Sequence, residues 1–353
     1  MTSIPENIFT EQKLDKSQSK LGISILICTY NPVEGIFHRT LKSVESLIIP
    51  AGVPVECIII DNNSPTPVHQ LAYVREFLDR CPWASIIQET QQGLTFARMA
   101  GFYAAKNSFI LFIDDDNEVS SSYLAALVKL FSEYSTVGAW GPGNVNVEFM
   151  GEVSEWFRNS FKHLYQDRNT NYTQYGLVRE TWASFYPFGT GLAVRREILA
   201  RYCDEVNNGN LCSSDRKGKS LSSGGDTQIV WEGIKIGYAA GVAPSLVVNH
   251  LIPANRSTLD YVKRLSFGTA DSYFPCIVSS FPEMRASALA GMPNSFTLSR
   301  SVMRRIIVHS IRLRFTDLII NLANYLGAVS GQYQVAGQNN QIVNYLIQIL
   351  KLK

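Results

Sequence analysis

Residues 109–119 read FILFIDDDNEV, so that five apolar residues run directly into three aspartates. A short apolar run rich in isoleucine and phenylalanine, ended by a polar cluster, predicts a buried β-strand. Three adjacent carboxylates at the end of such a strand repel one another unless a cation offsets their charge. This stretch therefore predicts a core strand that ends in a polar site.

Three similar runs precede it: ISILIC from residue 23, VECIII from residue 55 and ASIIQ from residue 84. The starts of the four runs are 32, 29 and 25 residues apart, and the segments 37–47, 68–79 and 94–106 between them predict helices. Strand, helix and strand at this spacing indicate a parallel sheet with right-handed crossovers. In such a sheet ligands bind at the carboxyl ends of the strands, so we expect the functional residues directly after each run.

Polar residues do follow every run. A single polar strand end is ordinary, because loops are polar, but four aligned ones indicate a functional site. In an extended segment alternate residues share a face, so Asp114 and Asp116 are expected to point the same way and Asp115 the opposite way. A metal ion bound by two carboxylates keeps coordination positions open for phosphate oxygens and water. Proteins commonly hold Mg²⁺ or Mn²⁺ with a nucleotide in this way. The alternative is an acidic loop that caps a helix beginning near residues 120–122.

The composition indicates a large folded α/β chain, either one domain with appendages or two fused lobes. The chain has 353 residues, of which 46% are hydrophobic and 18% charged. The longest apolar windows, such as 317–331, are interrupted before they reach the roughly 20 residues of a membrane span, so none is expected. Residues 1–20 are polar and lack the apolar stretch of a secretory signal, so we expect a flexible leader on a cytoplasmic protein.

Charge is distributed unevenly along the chain. Residues 256–353 contain 11 basic and 4 acidic side chains, a net charge of +7, whereas residues 1–255 carry −5. Residues 301–316 predict a helix with Arg304, Arg305 and Arg312 on one side and Met303, Ile307 and Ile311 on another. This pattern suits peripheral contact with the inner face of the plasma membrane, and it suits equally a helix packed on the rest of the protein.

Six segments together resemble the successive motifs of the family-2 glycosyltransferases of GT-A fold, over roughly residues 21–264. They are ISILICTYNP, VECIIIDNNS, QQGLTFARMAG, FILFIDDDNEV, PFGTGLAVRRE and GGDTQIVWEGIKIGYAAGVAPSLVVNH. The resemblance implies a Rossmann-like, mixed but mainly parallel sheet flanked by helices. It also implies a nucleoside-diphosphate sugar as donor, with uracil as the base expected from the family, a divalent cation (Mg²⁺ or Mn²⁺), and inversion at the anomeric carbon.

The resemblance also assigns roles to individual residues on the donor side. Those that match the nucleotide-binding positions are Thr29, Asn31, Glu34, Asp61, Asn62, Gly93, Arg98, Asp114 and Asp115. For Arg98 the alternative is an exposed residue on the surface of a helix. Asp116 and Asp114 match the metal ligands, and His250 is a third candidate or a strand-end histidine. Arg256 and Arg264 flank Tyr261 at about helical spacing and are candidates for diphosphate binding, and a solvated basic face is the alternative for both.

On the acceptor side, Gly189, Thr190 and Gly191 match the loop where the transferred sugar and the acceptor meet. Asp226 matches the general base, although Gly225 stands where the family usually has glutamate, and Asp226 would also suit a helix N-cap. Trp231 either stacks on the acceptor sugar or belongs to the core.

These assignments lead to a division into a leader (1–20), a catalytic domain (21–267) and a helical C-terminal extension (268–353). Within the catalytic domain, 21–119 would bind the nucleotide and 120–267 the acceptor. The expected activity is transfer of a sugar to a hydroxyl of a glycan or polyprenyl-linked glycan in polysaccharide biosynthesis, with no nucleic-acid partner. A non-catalytic sugar-nucleotide-binding subunit and a sugar nucleotidyltransferase are the alternatives, and the second lacks its glycine-rich phosphate loop after the first strand.

Overall fold

The computed structural model describes residues 21–179, 181–211, 221, 224–311 and 315–353. The expected leader, residues 1–20, and Arg312 of the expected basic helix lie outside this part of the chain.

The strands of the described part form one sheet of mixed direction. They are β1 (Ile23–Thr29), β2 (Val55–Asp61), β3 (Ala84–Gln88), β4 (Phe109–Phe112), β5 (Asn117–Val119), β6 (Val137–Phe149), β7 (Arg168–Asn169), β8 (Gln174–Gly176), β9 (Ala193–Arg195) and β10 (Ala239–Ile252). Their order is β3-β2-β1-β4-β9-β6-β10-β5, with β7 beside β6 and β8 beside β10. The pairs β1–β2, β1–β4 and β2–β3 are parallel, which confirms the parallel sheet expected from the four apolar runs. The strands β9 and β5 pair antiparallel with their neighbours, so the whole sheet is mixed.

Helices cover both faces of this sheet and make up the C-terminal region. They are α1 (Glu34–Glu45), α2 (Ala72–Arg80), α3 (Leu94–Ala104), α4 (Tyr123–Glu133), α5 (Glu155–Phe161), α6 (Arg196–Asn207), α7 (Gly225–Lys235), α8 (Leu259–Ser280), α9 (Arg285–Leu289), α10 (Ser295–Ile311), α11 (Phe315–Ala336) and α12 (Gln341–Ile349). None of the helices in the described residues is long and apolar enough to cross a membrane.

The alternation of side chains along β1 explains why its central residues, Ile25 to Ile27, are all apolar. Ile25 and Ile27 belong to the buried cluster that contains Phe37 of α1, whereas Leu26 belongs to the cluster that contains Met99 of α3. Because successive strand residues point to opposite faces, a strand covered on both sides has apolar residues in succession where the two clusters meet it. The first half of the chain therefore buries both faces of its parallel sheet.

The long helix α8 connects the sheet to the C-terminal helices. The boundary expected after residue 267 falls inside it. Two glycines one turn apart let α11 approach α8 closely, since a Cβ atom at Gly331 would stand 2.7 Å from the carbonyl oxygen of Asp271, and one at Gly327 would meet that of Phe267. The helix expected over 301–316 begins earlier, at Ser295, and residues 315 and 316 belong to α11.

Candidate active site

A cavity of about 620 Å³ opens where the strand ends of the sheet face the C-terminal helices. Its wall contains many of the residues expected from the sequence, namely Thr29, Asn62, Gly93, Asp114, Asp115, Asp116, Thr190, Asp226, His250 and Arg256. The chain thus brings the ends of distant segments to one place, as expected for parallel strands. The remaining expected residues do not line it.

The three aspartates form an acidic turn rather than the end of an extended strand. The strand β4 ends at Phe112, and the backbone N–H of Asn117 donates a hydrogen bond to the carbonyl oxygen of Asp114 at 3.1 Å. All three carboxylate residues line the cavity. The expectation that Asp115 points away is wrong, because alternation of faces holds only while the backbone stays extended.

Hydrogen bonds hold Asp115 in place. The hydroxyl of Thr29, at the end of β1, donates to its Oδ2 at 2.6 Å, and the hydroxyl of Thr40 donates to its carbonyl oxygen at 3.1 Å. Burial and the neighbouring charge of Asp116 raise the pKa of Asp115 to about 7, although the bond from Thr29 opposes this rise. Thr29 therefore contacts the acidic turn directly.

Asp116 contacts three side chains from its own turn and from the end of the sheet. Its Oδ2 lies 2.8 Å from Nη1 of Arg256, and its Oδ1 accepts a hydrogen bond from the Asn117 side chain at 3.0 Å. Nε2 of His250 lies 3.6 Å from the same Oδ1. Arg256, expected to contact a diphosphate, thus neutralises a carboxylate of the acidic turn in this structure.

The orientation of His250 is fixed by the backbone. Its Nδ1 lies 2.8 Å from the carbonyl oxygen of Tyr165, and because a carbonyl can only accept, Nδ1 carries a proton. Nε2 then faces Asp116, either protonated or with a lone pair free for a cation. Burial lowers the pKa of His250, but the nearby carboxylates and the bond to Tyr165 outweigh it, so the pKa lies above its usual value.

The acidic turn suits a metal that arrives together with a phosphate. Within the described residues, no group of three histidine, cysteine, aspartate or glutamate side chains is placed to hold a metal ion. Mg²⁺ and Mn²⁺ prefer oxygen ligands, and Mg²⁺ is commonly bound by one or two carboxylates, with water and substrate phosphates completing the shell. Asp114 and Asp116 are the carboxylates that would form such a pair, and Arg256 pairs with one oxygen of Asp116 in this structure.

Asp61 and Asn62 organise the loops beside the nucleotide-binding end of the sheet. Asp61 is buried, and its two carboxylate oxygens accept the backbone N–H groups of Ser64 (3.0 Å) and Val68 (2.9 Å). The Asn62 side chain accepts from the N–H of Gly93 at 2.8 Å and donates to the carbonyl oxygen of Gln91 at 2.8 Å. Asp61 was expected to contact a base, but in this structure it holds its own loop and does not line the cavity.

Gly93 precedes α3 in a conformation that glycine alone adopts without strain. Its φ is +136°, outside the regions open to residues with a Cβ atom. Its bond to Asn62 links the end of β2 to the start of α3, and both residues line the cavity.

Asp226 lies in the first turn of α7, half-buried, on the cavity wall. Its Oδ1 accepts the N–H of Thr227 at 3.0 Å. A Cβ atom at Gly189 would stand 2.9 Å from Oδ2 of Asp226, so the loop preceding β9 passes directly against this carboxylate. The next residue of the loop, Thr190, lines the cavity, while Gly191 accepts a hydrogen bond from the Tyr123 hydroxyl at 2.7 Å.

Trp231 is not available to stack on a sugar in this structure. Its side chain is fully buried, and its ring packs against those of Trp182 (5.7 Å between centroids) and Phe281 (5.9 Å). The acceptor role expected for Trp231 is therefore wrong for this conformation, because the tryptophan faces the core side of α7. Trp182, which packs against it, does line the cavity.

Four other expected residues also lie off the cavity wall. Asn31 and Glu34 are exposed at the end of β1 and the start of α1. Arg98 is buried on α3, with its guanidinium 5.6 Å from the ring centre of Phe112, so it is not the exposed helix residue considered as its alternative. Arg264 lies on α8 but is not among the residues that line the cavity.

Sequence reasoning missed most of the wall opposite the strands. Several aromatic side chains contribute there: Tyr165, Trp182, Phe188, Tyr261 and Tyr273. The rings of Tyr165 and Tyr261 are stacked, 6.4 Å apart, and join the α5–β7 connection to α8. For this wall, the helical spacing of residues along α8 was the one signal that the sequence offered. The other aromatic residues stand in loops, which have no periodic pattern.

The matches to known proteins agree with this architecture. The sequence model of the family described as Glycosyl transferase family 2 matches residues 24–203. The succinoglycan biosynthesis protein ExoM of Rhizobium meliloti (strain 1021) is 22% identical over 294 residues, which cover 80% of this chain and 85% of that protein.

Among solved structures, the mannosyltransferase PcManGT from Pyrobaculum calidifontis, in complex with GDP-Man and Mn²⁺, has a similar fold. It aligns with a TM-score of 0.51 and 16% identity over 95% of this chain and 80% of that one. At this identity the likeness concerns the fold alone, a mixed and mostly parallel sheet flanked by helices. From the family match, which spans half of its length, the chain belongs to glycosyl transferase family 2 and is a glycosyltransferase of GT-A fold.

Proposed function

We propose that this protein is an inverting, metal-dependent glycosyltransferase that moves a sugar from a nucleoside diphosphate, UDP in the first instance, to a hydroxyl of a glycan. Its similarity to ExoM supports a role in exopolysaccharide biosynthesis. The observation that carries the proposal is one cavity lined by the acidic turn, by Arg256 and by Asp226. The expected division into residues 21–267 for catalysis and 268–353 as an extension remains part of the proposal.

In this proposal the acidic turn and Asp226 have separate tasks. Asp226 takes the proton from the acceptor hydroxyl while that oxygen attacks the anomeric carbon from the face opposite the departing diphosphate. A single displacement of this kind inverts the configuration at that carbon. Gly189 lies against Asp226 and leaves room for the carboxylate itself, since a Cβ atom there would stand 2.9 Å from its Oδ2.

The diphosphate is held by charge. A divalent cation bound by Asp114 and Asp116, with His250 as a further candidate ligand, would neutralise the charge that develops on the leaving diphosphate. Arg256 is within reach of the same region, and pairing with a phosphate in place of Asp116 would keep its charge compensated. Thr29 and Asn62 support this end of the cavity by fixing Asp115 and the loop before α3.

The test is incubation with UDP-sugars and GDP-sugars in the presence of Mn²⁺ or Mg²⁺, followed by detection of the released nucleoside diphosphate. We expect release that requires the metal, and thermal stabilisation by one nucleoside diphosphate only when metal is present. Stabilisation by nucleotide without any turnover would instead support a non-catalytic binding subunit. Absence of both would contradict the proposal.

We further propose that α10 contacts an anionic membrane surface. Phe296, Met303, Ile307 and Ile311 lie on one side of this helix and expose 75%, 55%, 50% and 78% of their surface. Arg300 and Arg304 are exposed beside them, and the C-terminal part of the chain carries net positive charge. An exposed apolar stripe with flanking arginines suits the interface of a bilayer with anionic lipids.

The face of α10 differs in one respect from the sequence expectation. Arg305 does not join the exposed arginines, because its guanidinium lies 3.8 Å from the ring centre of Tyr325 and its Nε donates to Asn321 at 3.0 Å. This arginine therefore fastens α10 to α11. A helix can pack through one side and still present another to a membrane.

Flotation with phosphatidylcholine vesicles, with and without phosphatidylglycerol, tests this contact. We expect the protein to float only with the anionic vesicles, and the double variant Met303→Asp/Ile307→Asp to stay in solution. The matched control is Ile48→Asp/Ile49→Asp, which alters exposed isoleucines remote in sequence from α10. Equal flotation of both variants, or a dimer of the parent protein that the α10 variant dissociates, would contradict membrane contact.

A further inference from the structure

The helix α8 lines the cavity along one continuous face. Its contributing residues include Tyr261, Leu265, Thr269, Ser272, Tyr273 and Cys276. The spacing from Tyr261 to Cys276 corresponds to about 22 Å at the rise of an α-helix. This face runs from the acidic turn, where Tyr261 stacks on Tyr165, to the start of α7, where Cys276 packs against Gly224.

The helical side of the cavity carries no charge among the described residues. The side chains that α8 and α11 place on the wall are hydroxyl, aromatic, aliphatic, thiol and amide groups, and the amide belongs to Asn324 of α11. The charged residues of the cavity lie instead on the acidic turn, on α7 and in the segment after β10. The two sides of the cavity thus differ in the chemistry that they offer a ligand.

Two buried hydroxyls on the wall have no hydrogen-bond partner among the described residues. Ser266 of α8 is 4% exposed and Thr190 is 1% exposed, and the Oγ of each is unpaired. A buried hydroxyl without a partner is unfavourable, so a ligand or an ordered water that supplied the missing bond would be stabilised there. Thr190 follows Gly189, which touches Asp226, so one of the two hydroxyls lies beside the proposed general base.

From the described residues of this wall, we propose that this face of α8, together with Asn324, is a binding subsite for an uncharged sugar of the acceptor glycan. This inference rests on the proposed glycosyltransferase function and adds the site and the chemical class of the second substrate. A neutral sugar presents hydroxyls and apolar C–H surfaces, which match hydroxyl, amide and aromatic side chains. A uronic acid or a phosphorylated sugar would bring a negative charge to a wall on which α8 and α11, as far as the structure describes them, place no cation to pair with it.

The subsite is tested by binding, so that it does not depend on turnover. Saturation-transfer NMR and calorimetry on the full chain would use neutral gluco- and galacto-oligosaccharides, with oligogalacturonate as the acidic counterpart. We expect a neutral probe to bind and the acidic probe not to bind. Binding of the acidic probe alone, or of no oligosaccharide at all, would overturn the proposal.

Side-chain replacements then locate the probe. Thr269→Val/Ser272→Ala keeps the helix and removes two hydroxyls, and Asn324→Ala removes the amide. We expect each variant to weaken binding of the neutral probe about 5- to 10-fold, as the loss of one or two hydrogen bonds implies. The matched control is Asn321→Ala, the same replacement one turn earlier on α11 at a residue that does not line the cavity.

A separate measurement distinguishes failure of this inference from failure of the proposed function. Stabilisation of each variant by nucleotide and Mn²⁺ should equal that of the parent protein. If nucleotide still stabilises the chain while the α8 variants bind the neutral probe as well as the parent does, the subsite is wrong and the glycosyltransferase proposal stands. If nucleotide fails to stabilise even the parent, the proposed function fails first.

Discussion

The strand side and the helical side of the cavity are built on different principles. On the strand side, Asp115, Asp116 and Asn62 each have hydrogen-bond partners from other segments, so that charge is held in fixed positions. On the helical side, formed by α8 and α11, the described wall is uncharged and Ser266 has a hydroxyl without a partner. Fixed carboxylates suit a divalent cation that binds together with the diphosphate of a donor, whereas neutral hydroxyls suit a sugar.

The largest effect is expected where the two sides meet, at Asp226. Asp226→Asn keeps the size of the side chain but removes the base, so transfer should fall about 1,000-fold, within the range that general bases contribute. Donor binding, followed by thermal shift with nucleotide and Mn²⁺, should remain close to that of the parent. Asp204→Asn, at an exposed position of α6, is the control, and full activity of Asp226→Asn would assign the base to another residue.

The next largest effect is expected on the strand side. Asp116→Asn removes a charge that Arg256 and His250 face, and it should weaken metal-dependent nucleotide binding by between about 10- and 100-fold, as for residues that support a metal site. Isothermal titration with the nucleoside diphosphate, with and without Mn²⁺, measures this loss. If nucleotide binding by the variant responds to Mn²⁺ as strongly as that of the parent protein, the metal does not bind at the acidic turn.

A smaller effect, on stability, is expected from Asp61→Ala. Two buried backbone N–H groups, those of Ser64 and Val68, would lose their acceptor, so the free energy of unfolding should fall by about 2 kcal/mol. Urea denaturation measures the change, and Asp79→Ala at an exposed position of α2 serves as the control. If stability is unchanged and nucleotide binding is weaker, the result would support the base-binding role of Asp61 that the family resemblance implies.

The smallest effect is expected from Trp231→Phe. Because the indole lies in the core and its Nε1 has no partner among the described residues, the free energy of unfolding should fall by about 1 kcal/mol. The acceptor KM should stay unchanged, since the side chain does not line the cavity. A raised acceptor KM with unchanged stability would show that this tryptophan does contact the sugar.

How far the sequence predicted the site depended on the kind of element involved. Residues at the ends of the first, second and fourth strands, such as Thr29, Asn62 and Asp116, were found because apolar runs and their polar ends are local signals. Asp115 was placed on the wrong side because a turn, rather than an extended strand, follows Phe112. Trp231 was left open between two roles, since helical position alone does not tell which side of α7 faces the core.

The cavity residues of the helical side could not be predicted from the local sequence, for a different reason. Nothing in the sequence of α8 says that Thr269 and Ser272 face a cavity, because that depends on where α11 and the start of α7 lie against it. The glycines Gly327 and Gly331 gain their meaning only from the close approach of two helices. The ion pair of Arg256 with Asp116 joins residues 140 positions apart. Local sequence patterns do not reveal contacts between residues so far apart in the chain.

By itself the sequence determined the repeated strand and helix units, the acidic cluster after the fourth apolar run and the family to which the chain belongs, since each depends on neighbouring residues and their spacing. The tertiary structure alone decided which side chains share the cavity, that Arg256 neutralises Asp116, and that α8 closes the opposite wall with uncharged groups. Periodicity reports which residues are buried, whereas a site is made by segments that meet only after the chain has folded.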